Sequence, residues 1–472
     1  MQTSRERRWK RMALGLSIGL AVTVLGGEMP AAVSATDAEA PETELGRLAV
    51  SLDPGEMKEF KTKGFNHKLL RLWYDWDHDA KGTRIYGAQR MFDLVVGNWC
   101  NEAKWDPVTR QVLYTGIGHY AAMKFIAYSA DRNEWTLRPV PPWADPRFIE
   151  CKVADVRPEN RVALSAGRRQ GMWKDAVLYL YRNGRRTGRV RTVELGETNS
   201  VATVLEKPGE IKAGDTARSP TDSSVRVGNP KGPRRSWGRG HTYDCQAILP
   251  GKRLYAISLW KHLRLYDIDK QDWIKSVPGF KGNSPGAAEG FPEMDGFVAF
   301  SRPGRLCFYN PTTGKKRDLG PVGFGMHGIM EYNPVHKVVV VGGGDGNKSV
   351  GNRALWLVDV TGKVKQLKPA PIRMSCRPQY KFTCDPVSGE YIVVGTTPDG
   401  RRKTYAYHPI LDEWREISGF HPPSGVAIPI DTCGVILYLA KPKGGPFSCH
   451  LYRHKPAFTE AEKPEAVSGK PQ

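Results

Sequence analysis

His241, Tyr243 and Arg377 carry the side-chain types needed for β-elimination on a uronate-containing polysaccharide. An arginine neutralises the uronate carboxylate and acidifies the neighbouring C–H. A histidine or tyrosine then removes that proton, and a tyrosine hydroxyl returns one to the leaving oxygen. His-x-Tyr is a short pattern, however, and loop histidines also cap turns. Recognition without turnover is therefore the first expectation, and lyase action on an anionic polysaccharide is the alternative. Other polar side chains also precede expected first strands of the repeat described below: Asn98, Asn101, Asp244, Glu289, His327 and His421. His119, with Tyr120, falls in a hairpin turn of the first unit. His327 and His421 occupy comparable positions after loops, which predicts several imidazoles around one opening. The ligand-binding candidates are thus His119, His241, Tyr243, His327, Arg377 and His421.

Other chemistries fall away on spacing. Gly342–Gly346 followed by Lys348-Ser349 lacks the spacing of a phosphate loop, and no helix is expected after it. The acidic run WYDWDHDA (73–80) lacks the glycine and distal glutamate of a calcium loop. Eight cysteines occur without a C-x-x-C pair, which argues against structural zinc. There is no nucleophile elbow, HExxH motif or dinucleotide fingerprint. No metal and no cofactor is expected.

A repeat must position the candidates. NWCNEAKWDPVTRQVLYTGIGHYAAMKFIAYSADRNEWTL (98–137), HGIMEYNPVHKVVVVGGGDGNKSVGNRALWLVDVTGKVKQL (327–367) and RPQYKFTCDPVSGEYIVVGTTPDGRRKTYAYHPILDEWREI (377–417) follow one pattern. Each runs strand, Asp-Pro or Asn-Pro turn, apolar strand, glycine-rich turn, aromatic strand and short final strand. Four strands in about 40–50 residues describe a propeller blade. Units at 94–140, 241–279, 286–320, 325–368, 374–418 and 421–454 predict six blades, with seven as the alternative if 63–93 hides another. In the Asp106-Pro107, Asn333-Pro334 and Asp385-Pro386 turns, proline presets φ and the preceding side chain caps the turn. Trp135, Trp273 and Trp414 recur near the third-to-fourth strand junction and should fill the wedge between blades. Residues 48–62 read as an outermost strand for the last blade, which would hide the open edge of the ring.

The first 35 residues read as an export signal. A basic start holding Arg7-Arg8 is followed by MALGLSIGLAVTVLGG (12–27) and the small-residue stretch AAVSA (31–35). General secretion is preferred to the twin-arginine route, and an uncleaved anchor is the only membrane contact considered. A bacterial periplasmic or extracellular location follows. Export permits disulfides, with Cys433–Cys449 and Cys376–Cys384 as the pairs to test against free, apolar cysteines. The net charge of +21 points to anionic partners such as an acidic polysaccharide or envelope polymer, with a protein as the other choice. Export demotes nucleic acid.

Between 146 and 239 the rhythm breaks into short alternating strands. This stretch resembles a small β-barrel module of exported bacterial proteins, including flagellar assembly T proteins, through YRNGRRTGRVRTVELGETNSVATV (181–204) and IKAGD (211–215). The resemblance implies an inserted barrel at 146–216 followed by a basic flexible linker at 217–239. The stretch 147–239 holds twenty Lys/Arg against ten Asp/Glu, about half of the excess positive charge. The propeller units resemble the kelch-type repeats of the galactose-oxidase central domain, through VVVVGGGDG (338–346) and the pairs Tyr128…Trp135 and Tyr407…Trp414. The di-glycine is complete only at Gly342-Gly343, and neither the copper ligands nor the Tyr–Cys crosslink of that enzyme can be placed, so its oxidase chemistry is not implied.

The expected architecture is therefore all-β. A signal (1–35) and disordered lead-in (36–47) precede the closing strand and first blade (48–145). Barrel and linker follow, then the remaining blades (240–455) and a disordered tail (456–472).

Overall fold

The computed structural model describes residues 43–65, 102–116, 124–138, 149–170, 172–219, 244–259, 262–280, 287–302, 304–323, 327–344, 353–376, 380–440 and 448–458. The expected signal, the acidic run 73–80 and the tail beyond 458 lie outside these residues. Linker residues 220–239 and Cys100 do too.

A short helix, α1 (Glu44–Val50), precedes strand β1 (Met57–Phe60). The expected lead-in therefore gains structure before residue 47. The Thr43 hydroxyl accepts the Gly46 N–H at 3.1 Å, and Leu45 and Ala49 pack into the last blade's core. Blade 1 holds β2 (Lys104–Asp106), β3 (Gln111–Gly116), β4 (Lys124–Ser129) and β5 (Glu134–Leu137). Six barrel strands follow: β6 (Glu150–Arg157), β7 (Arg161–Leu164), β8 (Val177–Arg182), β9 (Arg185–Leu195), β10 (Ser200–Glu206) and β11 (Thr216–Arg218). Blade 2 holds β12 (Gln246–Leu249), β13 (Leu254–Leu259), β14 (His262–Asp267) and β15 (Asp272–Pro278). Blade 3 holds β16 (Ala288–Phe291), β17 (Gly296–Arg302), β18 (Arg305–Tyr309) and β19 (Lys316–Pro321). Blade 4 holds β20 (Ile329–Asn333), β21 (Val338–Gly342), β22 (Leu355–Val358) and β23 (Val364–Gln366). Blade 5 holds β24 (Lys381–Cys384), β25 (Tyr391–Thr396), β26 (Arg402–His408) and β27 (Glu413–Glu416). Blade 6 holds β28 (Gly425–Ile430), β29 (Val435–Ala440) and β30 (Ser448–Tyr452), with β1 as its fourth strand.

The innermost strands β2, β12, β16, β20, β24 and β28 lie side by side in that order, and β28 returns to β2. A parallel bridge between Glu102 and Ala427 joins the last blade to the first. The ring is a six-bladed propeller, and a seventh blade has no place in it. Close approach is built in at Gly290 of β16, where a Cβ would stand 1.7 Å from the Ile248 carbonyl oxygen of β12. Closure comes from β1, antiparallel to β30 with Met57 opposite Tyr452 and Phe60 opposite Cys449. At the other terminus the chain stays packed beyond the expected boundary at 455. Phe458 is buried, and the Glu390 carboxylate accepts the Ala457 and Phe458 N–H groups, both at 2.9 Å.

The turn chemistry follows the residues. Asn333 Oδ1 accepts the N–H groups of Val335 and His336, while Asp385 accepts the Ser388 N–H and hydroxyl. Asp106 caps its turn through Thr109 and also takes both arms of Arg253 from blade 2, at 2.7 and 3.0 Å. Tyr128 with Trp135, Tyr266 with Trp273 and Tyr407 with Trp414 sit directly opposite each other on third and fourth strands. Their ring centroids are 5.3, 5.2 and 4.3 Å apart. Trp135 and Trp273 are buried, as wedge fillers must be, and Trp414 packs half-buried against its blade's core.

The seven described cysteines are free thiols, so neither tested disulfide forms. Cys449 pairs with Leu439 near the far end of β29, whereas Cys433 precedes that strand's start. The four steps of β29 from Val435 to Leu439 alone span about 13 Å, beyond the reach of a disulfide. Cys376 and Cys384 are both buried in the core shared by blades 4 and 5.

The insert is a closed barrel, ordered β10-β7-β6-β11-β8-β9 and back to β10. Val153, Val162, Leu178, Leu180, Val190 and Ala202 fill it, and Asn183-Gly184 make the β8–β9 turn with φ of +49° and +75°. The barrel runs two residues into the expected linker. Thr216, Ala217 and Arg218 pair with both β6 and β8, and without them the barrel would have an open edge. It docks on blade 2 through β9, where Arg189 donates to Asp272 Oδ2 at 2.7 Å and to the Trp273 carbonyl at 2.9 Å.

Candidate functional site

Six ionisable side chains meet where the innermost strands begin: Glu102 and Lys104 from blade 1, Asp244, Glu289, Glu331 and Lys381. All six residues are less than a tenth exposed. Their positions follow from the strand period, because Glu102 and Lys104, or Asp244 and Gln246, are two apart and share a face.

Lys104 is the centre. Its ammonium contacts Glu102 Oε1, lies 2.5 Å from Glu289 Oε2 and stands 3.8 Å from Glu331 Oε2. Carboxylate oxygens of these three glutamates lie within 4.8 Å of one another, close enough to hold a cation. The Lys104 ammonium is itself the cation at that point. Burial alone would favour its neutral amine, but the surrounding carboxylates outweigh burial and hold the pKa well above the ordinary lysine value.

Burial acts in the same direction on every acid here. It raises Glu102 and Glu289, pushes Glu331 up to about 8 and pushes Asp244 up to about 7. Lys381, buried beside Arg402's charge, is lowered to about 7. Hydrogen bonds knit the acids to other blades. Asp244 Oδ2 accepts the Met330 N–H at 2.8 Å, and Glu289 Oε2 accepts the Tyr332 N–H at 3.3 Å. Glu102 Oε2 accepts the Gln246 N–H at 3.2 Å, and Gln246 Oε1 accepts the Thr115 N–H at 2.8 Å. The arrangement can share protons within the ring and ties blades 1 to 4 together. With Lys104 inside it, the cage is internally compensated.

Of the sequence candidates, His119, His241, Tyr243 and Arg377 lie outside the described residues, as do Asn98 and Asn101. Asp244 and Glu289 belong to the buried cluster. His327 adopts φ +64°, and its carbonyl accepts the Cys376 N–H at 3.1 Å. His421 is exposed, four residues before β28. These two histidines precede innermost strands separated by β24, so they belong to blades that are not neighbours in the ring.

Compared with protein-family models and with curated proteins, the chain finds no match in either.

Glu102, Lys104, Glu331 and Lys381 were not among the sequence candidates. The available signal was a charged residue in an otherwise apolar first strand, as in IMEYN (329–333) and KFTC (381–384).

Proposed function

We propose that this protein is an exported, kelch-like propeller that recognises an acidic glycan or envelope polymer without cleaving it. One observation carries the reading. The channel charges compensate each other around Lys104, whereas the barrel turns most of its basic side chains outward from a body that Arg189 and Arg191 fix to blade 2. The opposed Tyr–Trp pairs and the turn glycine Gly343, at φ +62°, support the kelch-like assignment. The closed barrel fits kinship with the module of flagellar assembly T proteins. The basic, then apolar, then small-residue start of the chain supports export.

The test is retention of the mature protein on immobilised acidic and neutral polysaccharides across a salt gradient, with ultraviolet absorbance followed for unsaturated product. Salt-sensitive retention on acidic polymers without product is expected. A protein that passes every acidic polymer unretained would refute the reading.

Lyase action remains the second reading because Asp244, the residue after Tyr243, is a buried carboxyl held at about 7, within electrostatic reach of Lys381. Product formation abolished by His241→Ala and Tyr243→Phe would put it first.

A further inference from the structure

We propose that the outer face of β8 and its flanking strands is the binding site for a linear, carboxylate-bearing polysaccharide, held by guanidinium groups stacked on tyrosines. The proposal rests on the recognition reading above and names its surface.

Strand β8 alternates by burial. Leu178 and Leu180 enter the barrel core, while Tyr179 and Tyr181 stay half-exposed on the outside. The guanidinium of Arg218, from β11, lies 4.2 Å above the Tyr181 ring. That of Arg186, from β9, lies 4.4 Å above the Tyr179 ring. Both are diagonal cross-strand neighbours, since Tyr179 pairs with Arg218 and Tyr181 with Arg186. A guanidinium laid flat on a ring keeps its edge N–H groups directed sideways, and stacking removes rotamer freedom before a ligand arrives. That is the preorganised, two-pronged donor that a carboxylate accepts best.

Charge on this face is left over at Arg218, since Arg186 is paired with Glu206 and Arg189 with Asp272 of blade 2. Among the described residues the Arg218 side chain has no hydrogen bond or ion pair, only its stack on Tyr181. Glu150 lies opposite Arg218 in register without pairing to it. Glu206 is engaged by Arg186 and Arg189, and Asp215 by Arg182. Lys152, bonded to the Thr216 hydroxyl at 2.8 Å, extends the cationic row onto β6. Arg186 and Arg218 sit on strands either side of β8 and two residues apart along it, so their Cα positions are about 12 Å apart. A polymer with a charge on each sugar can meet both at once, and its apolar ring faces suit the half-exposed tyrosines.

The experiment is calorimetric titration of the mature protein with de-esterified polygalacturonate, using wild type, Lys152→Gln/Arg218→Gln and a charge-matched control, Lys315→Gln/Lys365→Gln, on blades 3 and 4. The barrel variant should bind about tenfold or more weakly at an unchanged melting temperature, with the control near wild type. Wild-type binding that the barrel variant keeps, or that the control loses equally, overturns the proposed surface but leaves recognition standing. Equal competition by single-stranded DNA of matched charge overturns the commitment to a polysaccharide. Failure of wild type to bind any acidic polysaccharide removes the recognition reading, and this surface with it.

Discussion

Arg189 of the barrel and Asp272 of blade 2 form an ion pair at 2.7 Å with 5% and 7% of their side chains exposed. Arg191 adds a second guanidinium to the same carboxylate at 2.9 Å. Such a pair adds little over a well-packed apolar contact, but removing one partner strands a buried charge. Arg189→Ala should therefore cost about 3–5 kcal/mol. Asp272→Asn should cost less, because an amide still accepts from one guanidinium. Urea unfolding of both single variants and the double variant gives the coupling; strict additivity would mean that the pair does not fasten the barrel.

Lys104→Met leaves Glu102, Glu289 and Glu331 facing one another without their cation. A loss of about 3–5 kcal/mol is expected. It should be larger at alkaline than at acid pH, since protonation is the only remaining way to relieve the repulsion. Thermal melts at two pH values check this, and an equal loss at both would contradict the cage.

The acids also set a pH dependence. Asp244 and Glu331 are held at about 7 and about 8, above their ordinary 3.8 and 4.5, so the folded state binds their protons more tightly than the unfolded chain does. Their contribution is full below those ordinary values and is lost as pH rises through about 7 and about 8. Lys381 acts oppositely. Lowered from 10.5 to about 7, it penalises folding below that pH, and the penalty lifts as pH rises toward 10.5. Melting temperature should fall less between weakly acid and weakly alkaline pH in Asp244→Asn and Glu331→Gln than in wild type. Lys381→Met should gain most at acid pH. A wild-type curve that rises over the first interval would refute the assignment.

Gly290→Ala is the backbone test. Its Cβ would meet the Ile248 carbonyl at 1.7 Å, so β12 and β16 must part. A loss of roughly 3 kcal/mol or more is expected by urea unfolding, against little effect for Gly251→Ala, whose Cβ meets nothing within 4 Å.

Local chemistry was legible in advance, and long-range pairing was not. Asp106, Asn333 and Asp385 announce their turns because an Asx-Pro step acts within four residues. Tyr128 and Trp135 announce a hairpin because seven residues separate two positions that face each other. Even the closing strand could be anticipated, since the last unit lacked one. The channel cluster escaped because Glu102 meets Gln246, and Lys104 meets Glu289, across separations of 144 and 185 residues. Nothing in either local sequence distinguishes such a residue from a solvated one. Arg189 was misread for the same reason: it counted toward a basic surface, whereas it is buried against Asp272. The cysteines follow their apolar character instead: Cys376, Cys384, Cys433 and Cys449 stand free, and neither candidate disulfide forms.

Pairing β1 with β30 also imposes a schedule on synthesis. Met57 leaves the ribosome about 400 residues before its partner Tyr452, a delay on the order of tens of seconds at ordinary elongation rates. Throughout that interval the strand can find only wrong edges. A nascent chain of this design gains from being kept unfolded until it is complete, and any holding factor that releases it early would favour misjoined rings over slow ones.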